Sequence, residues 1–157
     1  MDLLVDITAS VMKNKEIEYL FPNLKDSNYK IISPKTIEYN CIAWACGDIH
    51  RIWWPDPLNI GYWPNESPRF VSLEAFLKAF EILGYTVCNS AEYEEGFEKI
   101  AIYTDAGGKP THAARQLNSG LWTSKLGKLY DIEHEIEGVS GLRYGHIAAF
   151  MKRPNCP

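Results

Sequence analysis

Residues 51–68, RIWWPDPLNIGYWPNESP, constrain the chain most: four prolines and three tryptophans fall within eighteen residues. Proline removes a backbone donor and fixes φ, so no regular helix or central strand runs through such a segment. It is expected to be a long, aromatic, packed loop. Before it, Val11, Ile17, Leu20 and Phe21 form a weak helical stripe that Pro22 stops, and Tyr29–Ile32 is short and apolar. Asn40 is a favoured N-cap, which puts Cys41 in the first turn of a helix with Ile42, Ala43, Trp44 and Ala45. Just after the loop, Leu73, Phe76, Leu77, Phe80 and Leu83 recur at helical spacing, with Gly84 where a C′ glycine belongs.

From Lys99 onward the pattern becomes that of strands. KIAIYTD, THAARQL and LWTSKLG are separated by the turns DAGGKP and NSG, DIEHEI reads as a helical turn, and GHIAAFMK is a last strand. A helical first half and an antiparallel second half imply an α+β fold. The expected organisation is one domain over 1–157, with a helical segment at 1–35, a core at 36–153 and a tail at 154–157. Net charge is −4 with no basic run, which argues against nucleic-acid binding. No stretch approaches the ~18 apolar residues of a membrane helix. MDLLVD lacks the basic start of an export signal, and four cysteines are sparse for a disulfide scaffold, so a cytoplasmic setting without membrane contact is expected.

Cys41 is the sharpest chemical feature. A thiol at a helix start faces unpaired N–H groups and the positive dipole end, both of which favour thiolate. His112 begins a later strand, where a base stays rigid near a turn. Cysteine on a helix followed by histidine on a strand is the order of papain-like hydrolases. A three-residue loop in THAARQL-NSG-LWTSKLG would set Leu117 against Leu121, Arg115 against Thr123 and His112 against Leu126. Ser124 then lies one diagonal step from His112 on the same face. Ser124 and Asp131 are equal candidates for orienting His112, with His134 behind them; Asp131 reads equally well as a helix N-cap. The Cys41 N–H and the Asn40 amide are candidate oxyanion donors, and Asn40 alone reads first as a cap. Lys125 alternates away from Ser124 and is expected in a salt bridge or in solvent. Trp44, Trp53, Trp54 and Trp63 are candidate substrate-binding aromatics, although a core plug is the commoner fate of such residues. Glu92, Glu94, Glu95 and Glu98 read as a solvated face. No metal and no cofactor are expected, since Cys41, His112 and His134 lack zinc-type spacing.

The segments YNCIAWA, THAARQL, WTSKLG, DIEH and Tyr144-Gly145 resemble a small, mostly bacterial family known only as a domain of unknown function. The resemblance runs from about residue 36 to 153. Its layout is similar to papain-like and NlpC/P60-like cysteine hydrolases in order and topology, while the D-C-S and C-G-S-C-W signatures of those groups are absent. Without those signatures the substrates of these groups do not carry over, and the function is read from the residues: Cys41 attacking a carbonyl with His112 as base and then acid makes a cysteine-dependent amide or thioester hydrolase or acyl transferase the leading expectation, with a peptide or protein substrate. A glutamine deamidase or transglutaminase-like enzyme, or a binding or immunity-type module without turnover, are the alternatives.

Overall fold

A computed structural model describes residues 14–155. The expected stripe keeps Ile17, Leu20 and Phe21; Val11 and the terminal Cys156 lie outside the described residues. Helix α1 is Lys15–Leu20, opened by Asn14, whose side chain accepts from the Ile17 N–H, and followed by a 3-10 turn at Pro22–Leu24. Helix α2 is Cys41–Cys46. Helix α3 is Leu73–Ile82, capped by Ser72, and Gly84 follows it at φ +99°.

The strands are β1 (Lys30–Ser33), β2 (Thr86–Cys88), β3 (Phe97–Thr104), β4 (Pro110–Gln116), β5 (Trp122–Lys125), β6 (Asp131–His134) and β7 (His146–Pro154). They form one seven-stranded sheet in the order β1-β6-β5-β4-β3-β7-β2, with antiparallel pairing throughout. The fold is mixed α+β. Two expectations change. The first half also supplies β1 to the sheet, so it is not purely helical, and the segment before residue 36 is tied to the sheet. DIEHEI is not a helical turn: Asp131–His134 is a strand hydrogen-bonded to β1 on one side and β5 on the other. A few residues with no partner helix cannot repay helix nucleation, whereas two waiting strand edges satisfy the same backbone groups at once.

Alternation along the strands sorts the core into two layers. Ile100, Ile102 and Ala113 face α2, α3, Trp53 and Trp63. Ala101, Tyr103, Ala114, Trp122, Leu126 and Ile132 face Ile17, Phe21 and Leu24. The proline-rich loop carries no strand beyond a single bridge, Trp53 to Tyr62. It is packed all the same: Asp56 accepts from the N–H groups of Ile60 and Gly61, and Arg69 donates to the carbonyls of Asp56 and Gly61. Among the described residues no helix is long and apolar enough to cross a membrane.

Candidate functional site

Asn40 fixes the start of α2. Its Oδ1 accepts from the Ala43 N–H at 3.2 Å and the Trp53 N–H at 3.0 Å, while its Nδ2 donates to the Trp53 carbonyl at 2.7 Å. The amide expected as an oxyanion donor is therefore committed to joining α2 to the aromatic loop. Cys41 follows with 9% of its surface exposed. The N–H groups of Ala113, Ile42 and Cys41 itself and the Lys125 charge favour its anion, yet burial outweighs them and pushes the thiol up to about 11. The expectation of a lowered thiol is overturned, because six residues of helix in a dry site supply less than desolvation removes.

The hairpin has the expected register, with Arg115 opposite Thr123 and Gln116 opposite Trp122. This sets three side chains on a diagonal across β4, β5 and β6. His112 Nε2 lies 2.9 Å from Ser124 Oγ, and Ser124 Oγ lies 2.7 Å from His134 Nε2. His134 Nδ1 lies 2.6 Å from the Glu135 carbonyl. All three residues are fully buried. Burial pushes His112 well below its ordinary range and His134 down to about 4, so both rings are neutral at pH 7. The proton positions then follow in sequence. A carbonyl only accepts, so His134 Nδ1 carries its proton and Nε2 accepts from the Ser124 hydroxyl. Ser124 in turn accepts from His112 Nε2–H. His112 Nδ1 is left with a lone pair, and it has no hydrogen-bond partner.

Tyr144 lies flat on the His112 ring, centroids 4.0 Å apart and planes 5° apart, and Tyr103 meets the ring edge-on. Gly145 makes this placement possible: at φ +74°, an added Cβ would stand 1.9 Å from the Thr104 carbonyl oxygen. Tyr-Gly appears in the sequence as a motif without a stated role; its role here is to roof the imidazole. Asp131, expected near His112, is on the other side of the sheet. It pairs directly across from Lys125, and Tyr39 OH donates to its Oδ2. Strand alternation likewise sends the His112 side chain away from Ala113, over which α2 packs, so thiol and imidazole reach the same stretch of β4 from opposite faces. No hydrogen bond joins them among the described residues.

Trp44 donates from Nε1 to Thr123 Oγ1 at 2.9 Å and stacks on Tyr39. Trp53 and Trp63 are core residues, and Trp63 packs on Phe76. Trp54 also meets Phe76 and lines an open cleft of about 640 Å³ with Arg51, Ile60 and Tyr62. The acidic face is partly engaged, since Glu94 binds Lys152 and Glu98 binds Arg153. A family model described as a domain of unknown function (DUF7689) matches residues 30–152. The chain belongs to this family. The match spans β1 to β6, most of β7, α2, α3 and the His112–Ser124–His134 diagonal, while α1 precedes it. No curated protein and no solved structure shows a significant match.

Proposed function

We propose that the protein is a cysteine-dependent acyl transferase or amide or thioester hydrolase acting on a peptide or protein, with a papain-like division of labour. The observation that supports this reading is His112: one ring nitrogen is held through Ser124 and His134, and the other carries an unpartnered lone pair in a dry site next to Ala113, whose backbone N–H meets the thiol. Held imidazole with one free nitrogen is what a general base requires. In the reaction, sulfur bonds the carbonyl carbon as the Cys41 proton passes to His112 Nδ1 around the open end of the β4–β5 ladder, whose pairing stops at Arg115 and Thr123 before it reaches His112. The tetrahedral oxyanion collapses, and the leaving group takes the proton back. Water then cleaves the thioester by the same route. Thiol and imidazole are both neutral before substrate arrives, and hydrogen bonds of catalytic pairs commonly tighten only in the substrate complex.

The test uses p-nitrophenyl acetate as acyl donor. Peptide mapping is expected to find acetyl on Cys41, followed by turnover; Cys41→Ser abolishes both, and His112→Gln slows acetylation by about 10²-fold or more. Acetyl spread over Cys46 and Cys88, or a rate indifferent to His112→Gln, overturns the reading. The burial of Cys41 with its thiol pushed up to about 11 favours a second reading, a binding module without turnover. That reading predicts a folded protein that no acyl donor labels at Cys41. Ammonia release from a glutamine peptide separates deamidation from hydrolysis, since both pass through one thioester.

A further inference from the structure

The face of the sheet that carries Cys41 also carries a buried charge that the chemistry above leaves unused. Thr123 and Lys125 alternate with Ser124 and so point toward α2, which the Trp44–Thr123 bond confirms. Cys41 precedes Trp44 by three residues and shares its side of the helix. One helical step back from Trp44 and one strand alternation on from Thr123 therefore bring the sulfur and the Lys125 side chain to the same end of the interface.

Lys125 is fully buried, which is rare for a lysine. Its Nζ donates to the Leu129 carbonyl and stands 5.4 Å from the Tyr39 ring centre. Its nearest acidic oxygen, Asp131 Oδ1, is 4.0 Å away and accepts no hydrogen bond. A buried ion pair that serves stability alone closes to about 2.8 Å and satisfies its remaining atoms. Here the pair is held open, with ammonium donors to spare, because Asp131 is tethered through Oδ2 to Tyr39 OH. Tyr39 itself sits two residues before Cys41 and stacks on Trp44 at 5.5 Å.

We propose that Lys125, held by Asp131 and Tyr39, is a positioning residue that supplies the counter-charge for the anion forming at Cys41 and at the carbonyl it attacks. The proposal rests on Cys41 being the reacting group. It takes over the electrostatic part of the work that the committed Asn40 amide does not do. The other titratable groups whose charge would act on the sulfur are Tyr144 from the turn before β7 and Cys46 at the far end of α2. Burial keeps both neutral near pH 7.

Burial lowers Lys125 from its ordinary range, and in strong alkali it would lose its charge before the thiol ionises, so the experiment follows Cys41 at pH 7.5, as the rate of its alkylation by iodoacetamide read by peptide mapping. Lys125→Met alone leaves a buried carboxylate without its counter-ion, so Lys125→Met/Asp131→Asn, which removes both charges, is measured beside it. Both are expected to slow Cys41 alkylation by about tenfold, the thiolate fraction lost when a thiol moves up by one pH unit. A purely structural role gives the opposite sign, because loosened packing admits water and reagent and undoes the burial that suppresses the anion. Alkylation that is unchanged or faster overturns the proposal. The measurement needs no acyl donor, so its failure is distinguishable from failure of acetylation at Cys41.

Discussion

A histidine that donates to a carbonyl has only one nitrogen left to accept with, and His134 passes that constraint through Ser124 to His112. The chain also carries a pH signature. Burial lowers His134 to about 4 in the folded state, against about 6.5 unfolded. Between these values the unfolded chain holds more protons, so stability rises with pH through the window and is lost as pH falls from about 6.5 toward 4. The depression corresponds to about 3 kcal/mol at neutral pH. His134→Gln removes the proton site, so its urea midpoint is expected to fall less between pH 6.5 and 4 than that of the wild type; an equally steep loss refutes the assignment. The His112–Ser124 contact was legible in the sequence, because a three-residue hairpin loop fixes register and register fixes diagonals. His134 was readable as a candidate behind Ser124 and Asp131, but its place in the hydrogen-bonded row was not, since its strand is specified by the edges of β1 and β5 and not by its own four residues. The thiol was misjudged for a related reason: the helix start is local, whereas the burial that outweighs it comes from residues far along the chain.

At the scale of elements, α2 is too short to persist alone and depends on its ends. Gly47 closes it at φ +81°. Asn40 opens it and spends both amide atoms doing so, on Ala43 and on the two backbone groups of Trp53. Asn40→Ala removes a cap worth about 1 kcal/mol and leaves a buried loop donor and acceptor unpaired, about 1–3 kcal/mol more. A total near 3 kcal/mol lowers the melting temperature by roughly 6–12 °C for a chain of this length. Asn40→Asp keeps the acceptor for the Ala43 and Trp53 N–H groups but sets a second acceptor against the Trp53 carbonyl, so it is expected to recover only the capping part of the loss in the same thermal scan; equal melting temperatures for the two variants refute the capping account. Helix caps of this kind were readable in advance, as was Gly84 after α3, because capping chemistry is local. The destination of the Asn40 amide group was not, because its partner lies thirteen residues away in a loop that has no period.

The whole molecule is one twisted sheet with different chemistry on its two faces. Cys41, Lys125 and Asp131 lie on the side covered by α2, α3 and the aromatic loop; His112, Ser124 and His134 lie on the side covered by α1 and the turn after it. The second cover comes from outside the segment that the family model matches, yet Phe21 packs at 5.0 Å on Tyr144, which roofs His112. Phe21→Ala and Trp63→Ala each delete a large buried ring, one from each layer, at a cost of about 3–5 kcal/mol. Their stability losses are therefore similar, and the imidazoles distinguish them. Removing Phe21 lets water approach the Tyr144–His112 stack, so in NMR titrations His112 and His134 are expected to move up toward the ordinary histidine range. Removing Trp63 opens the opposite layer, between the aromatic loop and Phe76, and is expected to leave both rings where they were. If both substitutions shift the histidines equally, the two layers are not covered separately, and the opposed-face arrangement of the site is wrong.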